Sequence, residues 1–212
     1  EIFWDNYKKR NQRKRNYNDA WIITSKGKLD ILANSTYDGW TNQDMARTWC
    51  GPEGEGYGYG NDPYTMEITD SIIKNFHPRL LLVNLLEVDV NGHGKNWEGY
   101  IKGIQSTDQQ ALQLWNMIQS DPIYKDKTAL FITNDHGRHC DGHKDGFVSH
   151  GGGCKCCRKI SLVALGPDFK KGRVVCEPYE LIDIAATAAE ILGINMSLSK
   201  GRFMTDLVFD KE

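Results

Sequence analysis

The stretch that decides the fold is Arg79-Leu80-Leu81-Leu82-Val83-Asn84-Leu85-Leu86-Glu87-Val88-Asp89-Val90-Asn91-Gly92-His93-Gly94. Its first half is a nearly unbroken apolar run, the pattern of a strand buried on both faces of a parallel sheet. The chain then leaves the core and puts Asp89 and His93 beyond the strand's carboxyl end, with Gly92 and Gly94 around the histidine. Open α/β sheets bind ligands in the crevices outside those ends. A carboxylate and an imidazole four residues apart on such a turn can bite one metal ion. Alone, the pair reads by default as two solvated loop residues.

A second stretch repeats the arrangement. Thr128-Ala129-Leu130-Phe131-Ile132-Thr133 reads as another buried strand, and Asn134-Asp135-His136-Gly137 follows at once. Neighbouring side chains on a strand point to opposite faces, so Asp135 and His136 can share an ion only if the backbone turns there. Gly137 permits that turn. Val148-Ser149-His150-Gly151-Gly152-Gly153 adds a third histidine in a glycine loop. Strands alternating with helices predict an α/β/α sandwich of three layers with a largely parallel sheet.

Those residues resemble the alkaline phosphatase superfamily over roughly 76–194, with the type I phosphodiesterases and nucleotide pyrophosphatases as the branch most like them and sulfatases as cousins. The resemblance implies that Asp89, His93 and His150 hold one divalent ion and Asp135 with His136 a second. His139 and His143 stand as alternatives to His150, which matches the family order because its His-Gly turn precedes the strand beginning at Ile160. Arg138 and His139 are then left to contact the anionic oxygens of a substrate. The implied activity is metal-dependent hydrolysis of a small phosphate ester at a two-metal site, with zinc favoured by the imidazoles. A sulfatase on the same frame and a non-catalytic metal-binding module are the competing readings. In the family a Ser, a Thr or a modified Cys attacks, on a segment N-terminal to the residues matched here. The chain is therefore expected to be one alkaline-phosphatase-like domain over 1–212, incomplete at its N-terminus, without its nucleophile, inactive by itself, and either poorly soluble or in need of a partner. Cys50-Gly51-Pro52-Glu53-Gly54 starts like the sulfatase signature but has Gly54 where arginine is required; Ser35 and Thr36 lack a supporting pattern.

Composition sets the outer bounds. The chain has 212 residues, 40% hydrophobic and 25% charged, as in an ordinary globular domain. A formal net charge of −2 argues against a general nucleic-acid binder. No apolar run approaches the roughly 20 residues of a membrane helix. Among the six cysteines, Cys154-Lys155-Cys156-Cys157 contains a C-x-x-C, while Cys50, Cys140 and Cys176 are scattered. A disulfide or free thiols are expected there in preference to a further zinc, which would want a second cysteine pair. Oxidised cysteines would indicate a periplasmic or extracellular compartment.

The rest follows from local pattern. Phe3, Trp4 and Tyr7 precede a basic run over 8–15, which predicts one amphipathic helix with its aromatic side on the sheet. Residues 20–24 and 29–33 are short apolar runs around Ser25-Lys26-Gly27-Lys28 and read together as strand and turn. The glycine-rich 51–60 is a loop, either mobile or closing over substrate with Trp40, Trp49, Tyr57 and Tyr59 as stacking surfaces. A helix over 66–76 carries Ile68, Ile72, Ile73 and Phe76 on one side and stops at His77-Pro78. A long helix over 97–119 is expected to bury Ile101, Ile104, Ala111, Trp115 and Ile118, with Asp108 in the middle of the stripe bonded to backbone or a tyrosine. A last helix after Pro178 is expected to bury Leu181, Ile182, Ala185, Ala188, Ala189 and Leu192 and to end at Gly193.

Overall fold

In the computed structural model the described residues are 19–33 and 46–209. The aromatic-basic helix expected over the first 18 residues, together with Ser35, Thr36 and Trp40, lies outside them. The chain divides into two compact units, Glu1–Asn91 with Trp97–Leu114, and Gly92–Asn96 with Trp115–Glu212.

The first unit is built on a three-stranded parallel sheet in the order β2-β1-β3, with β1 at Ala20–Thr24, β2 at Arg47–Cys50 and β3 at Leu80–Asn84. The α/β class and the parallel sheet expected from sequence are present. The strand sealed on both faces is β1, however, whose five residues are all buried, whereas β3 is half-buried. Ala-Trp-Ile-Ile-Thr has a neighbour on each side, and β3 pairs with β1 from Ala20↔Leu80 to Thr24↔Asn84. Trp21, Ile23 and Ile72 form the core, with Trp49, Ile68, Phe76 and Leu81 packed around them. Trp21 stacks on Phe76 at 5.3 Å, and the Arg47 guanidinium lies 4.4 Å from the Trp21 ring centre. Sequence pattern misses β2, because Arg-Thr-Trp-Cys has neither an apolar run nor a clean alternation. Residues 27–33 form a 3₁₀ helix that takes in the end of the expected turn and the apolar run after it.

Helix α1 spans Asp62–Phe76, four residues earlier than its apolar period suggests. The Asn61 side chain caps it by accepting Tyr64 N–H at 2.9 Å. At the other end His77 adopts the left-handed conformation, φ 47°, and Pro78 forbids continuation. Asp62, 2% exposed, does more than begin the helix. Its carboxylate accepts Ser25 Oγ at 2.6 Å and the backbone N–H of Leu86 and of Glu87, both at 2.8 Å. One buried charge therefore joins the end of β1 to the first turn of α2, Glu87–His93. Ser25 Oγ also lies 2.8 Å from Thr65 Oγ1.

The glycine-rich 51–60 segment is fastened down. Gly51 N–H donates to Thr24 O at 2.9 Å, Gly60 N–H to Ser25 O at 2.7 Å, and Gly27 N–H to Gly58 O at 2.9 Å. A Cβ on Gly27 or Gly51 would collide with the Tyr57 backbone, so glycine is required for this close approach. Trp49 packs on the core and under Gly54, leaving Tyr57 and Tyr59 as exposed aromatics of the set expected to stack on a ligand.

Helix α3 spans Trp97–Ser120, as expected within a residue, but it buries another face. Ile101 and Ile104 are exposed and so is Asp108, while Gly103, Gln110 and Ile118 are buried. A Cβ on Gly103 would touch Val88 at 3.4 Å, so the absent side chain lets α3 approach α2. Asp108 needs no buried partner because it sits in solvent.

In the second unit β4, Leu130–Thr133, pairs with β5, Leu162–Leu165, in antiparallel register from Leu130↔Leu165 to Thr133↔Leu162. This antiparallel pair departs from the parallel neighbours expected for these strands. Phe131 meets Phe169 edge-on at 5.0 Å. Helix α4 is Leu181–Leu192, closed by Gly193 at φ 63°. Its buried face is Asp183, Thr187 and Ala189; Leu181 and Ile182 are exposed. The polar face is buried because its groups are satisfied. Asp183 accepts Arg202 N–H at 2.6 Å, Glu180 N–H at 2.8 Å and the Arg202 guanidinium at 3.2 Å, and Thr187 Oγ1 accepts Met204 N–H at 3.1 Å. Burial alone would raise the Asp183 pKa, but the bonds from the Arg202 and Glu180 backbone and the Arg202 charge outweigh it and leave it lowered.

Replacing Asp62 by Ala leaves a buried and a half-buried backbone N–H group and a buried hydroxyl without their acceptor, and should cost about 3 kcal/mol in urea unfolding. An Asp62→Ala variant as stable as wild type would show that this clamp is dispensable. For Asp183 the folded pKa lies below the unfolded value of about 3.9, so its contribution is complete above that pH and is lost as pH falls through the folded value. Thermal melts of wild type and Asp183→Asn should therefore differ most near neutrality and converge in acid.

Candidate metal centre

Asp89 and His93 both lie on α2, a short helix where a turn was expected. Within the first unit Lys26 Nζ stands 3.3 Å from Asp89 Oδ2, a pair 63 positions apart that no local pattern announces.

In the second unit three imidazoles from three separate segments come together. His93 Nε2 lies 3.2 Å from His150 Nε2. The ring of His136 stacks on that of His150 with centres 3.7 Å apart. Two imidazole nitrogens sharing a tetrahedral zinc at about 2.05 Å would stand roughly 3.3 Å from each other, so the His93–His150 spacing suits a common ion. His136 Nδ1 is 3.0 Å from Gly137 O, which favours the tautomer carrying its proton on Nδ1 and leaves Nε2 as the donor to a metal. Asp135 is next to it, with Oδ2 3.5 Å from His136 Nε2. The donor set, imidazole and carboxylate, fits a zinc-like divalent ion.

The bend that turns Asp135 and His136 follows β4 directly. Gly137 belongs to it for a reason other than conformational freedom. A Cβ there would collide with Cys156 O, and its N–H donates to Cys157 O at 2.9 Å. Asn134, which sequence reasoning passed over, pins the same corner. Its Nδ2 donates to His136 O at 3.0 Å and its Oδ1 accepts Ser161 N–H at 2.9 Å. The signal was its position at the strand end; its partner 27 residues on was not legible.

Arg138 and His139 separate. Arg138 is buried, donates from Nη1 to Val148 O at 3.0 Å, and lies against Gly92, where any Cβ would strike the guanidinium. The His139 ring turns to sulfur, with Nδ1 3.4 Å from Cys154 Sγ and 3.2 Å from Cys157 Sγ. His143 stands edge-on to His139 at 5.2 Å. Cys140 and Cys156 form a disulfide, and Cys154 and Cys157 are free thiols. The His139 imidazole, helped by the Cys157 N–H, draws the Cys154 thiol down to about 6, while burial and the neighbouring Cys154 push Cys157 up. Next to this group, a hydrogen bond from Ser149 Oγ at 2.7 Å lowers the Asp145 carboxyl.

Comparison with known proteins agrees with this donor chemistry. Residues 31–196 match the Metalloenzyme superfamily. A phosphopentomutase of Caldanaerobacter subterraneus subsp. tengcongensis is 27% identical over 144 residues, 68% of this chain and 32% of that protein. A phosphopentomutase of Herpetosiphon aurantiacus is 26% identical over 129 residues, 60% of this chain and 29% of that protein. The chain thus spans about a third of the length of these curated relatives. The match over 31–196 covers well over half of the sequence, and it bears out the resemblance to the alkaline phosphatase superfamily without selecting the phosphodiesterase branch. The chain belongs to the Metalloenzyme superfamily.

Proposed function

We propose that this protein is a metal-dependent enzyme of small phosphate esters, and that it hydrolyses phosphate mono- or diesters. The convergence of His93, His136 and His150 is the observation that carries the reading. In the proposal Asp89, His93 and His150 hold one divalent ion and Asp135 with His136 the other, zinc in both places. Such ions supply Lewis acidity, lowering the pKa of an attacking hydroxyl and neutralising charge on the phosphoryl oxygens.

The chain's own residues prepare that chemistry. Gly137 O fixes the tautomer and the plane of His136. Lys26 keeps a positive charge at Asp89 and limits how far the carboxylate swings. Arg138, tethered to Val148 O, is the charge proposed to meet the substrate's anionic oxygens. His139, the other residue expected there, bonds the two thiols.

Two observations rank the alternatives. Cys50, which opens the sulfatase-like stretch, is fully buried with Sγ 3.9 Å from Ile22 O, and burial raises its pKa; this sets Cys50 aside as the attacking residue of a sulfatase. The named activity of the relatives favours a second reading, phosphoryl transfer between positions of a sugar phosphate. The Cys140–Cys156 disulfide supports an oxidising compartment, periplasmic or extracellular.

The test uses the full-length protein with nitrophenyl phosphate, bis-nitrophenyl phosphate, nitrophenyl sulfate and a pentose 1-phosphate. Phosphate-ester turnover should dominate, vanish on chelation and return with zinc. His136→Ala and His150→Ala should each lower kcat/KM by at least about a hundredfold, the upper range for loss of mere ligand-orienting partners. Dominant sulfate turnover, or activity indifferent to chelation, would overturn the proposal; isomerisation without release of phosphate would select the mutase reading.

A further inference from the structure

The sulfur-rich loop of the second unit contains a constellation that the phosphate-ester chemistry does not use. His139 and His143 stand at H-x-x-x-H spacing, and Cys154 and Cys157 at C-x-x-C. These are the two half-site spacings of a Cys₂His₂ zinc site, C-x₂₋₄-C and H-x₃₋₅-H, here in reversed order along the chain. A scan for paired cysteines overlooks them, because the second half-site is histidine.

Folding brings the halves together. Ligand atoms of His139, His143 and Cys154 lie within 4.8 Å of one another. His139 Nδ1 is 3.4 Å from Cys154 Sγ and 3.2 Å from Cys157 Sγ. With zinc–sulfur bonds of about 2.3 Å and zinc–nitrogen bonds of about 2.05 Å, nitrogen and sulfur on one tetrahedral ion would be roughly 3.6 Å apart. The spacings are slightly shorter than that. The loop is also shaped for a thiolate, since Cys157 N–H points at Cys154 Sγ over 3.4 Å. Gly152 leaves space for the imidazole, as a Cβ there would come within 2.8 Å of His139 Cε1. His139 and Cys157 are both 5% exposed.

We propose that His139, His143, Cys154 and Cys157 bind one zinc ion in a structural site separate from the phosphate-ester centre. On binding, each cysteine S–H bond breaks, its proton goes to solvent and the sulfur electron pair bonds the metal; the imidazoles bind neutral, and no oxidation state changes. Two thiolates cancel the charge of the ion, which suits a half-buried position. Four protein ligands close the coordination shell, so the ion orders chain and activates no water. The Cys140–Cys156 disulfide presets the two turns, and the Cys157 carbonyl, bonded to Gly137 N–H, passes the order on to the bend of His136.

The experiment counts metal in full-length protein purified with zinc and without chelator. His136→Ala/His150→Ala protein, disabled at the proposed phosphate-ester centre, should retain about one tightly held zinc per chain. Its cobalt-substituted form should show a thiolate-to-cobalt charge-transfer band, which carboxylate and imidazole ligands alone cannot give. In Cys154→Ser/Cys157→Ser protein that band and one zinc should be lost. Should the serine variant fail to fold, titrating wild-type thiols with an organomercurial while a chromogenic chelator reports released zinc gives the same information. Release of zinc in step with Cys154 and Cys157 modification supports the site. A Cys154–Cys157 disulfide in non-reducing peptide maps, or no retained zinc in the histidine variant, overturns it, even if phosphate-ester turnover behaves as proposed.

Discussion

The carboxylate of Asp62 is the constraint on which the first unit depends. It is buried, and a buried charge survives only where donors surround it. Ser25 Oγ and the N–H groups of Leu86 and Glu87 do so from the end of β1 and the start of α2. Negative charge at a helix start also complements the helix dipole. The result is that the place where β3 gives way to α2, and so where Asp89 begins its course, is fixed by a residue of α1. Placement of a candidate ligand thus rests on an aspartate whose carboxylate is given over to hydrogen bonds.

Much of this was legible where the signal is local. The apolar runs of β3 and β4 mark strands, and the structure places the candidate ligands Asp89 and His93, and Asp135 and His136, directly after them. His77-Pro78 and Gly193 stop helices by backbone conformation alone, which a sequence displays directly. Local pattern failed where tertiary partners decide. The core faces of α3 and α4 carry Gln110, Asp183 and Thr187, polar groups that hydrophobic periodicity assigns to solvent. For α4, Arg202 and Met204 supply bonds from beyond the helix, so satisfied polarity displaced Leu181 and Ile182 from the interior. Strand β2 offers four residues without a period, and its strand character comes from pairing with β1.

The second unit shows the same division at its chemistry. The histidines were recognisable singly; which of them share a neighbourhood was not. His93 joins His150 and His136, whereas His139 joins the cysteines, only three positions from His136. Neither group could be sorted by spacing alone, because successive residues in an irregular segment face unrelated directions.

The antiparallel register of β4 and β5 has a topological consequence. Thr133 and Leu162 lie side by side, so residues 134–161 leave the sheet and return to it at one point. Asn134 and Ser161 tie the neck of this excursion, and the Cys140–Cys156 disulfide divides it internally. Entropy of closing so long a segment grows only with the logarithm of its length. Length can therefore be added to this excursion, or removed from it, at two adjoining points while the strands beneath keep their pairing.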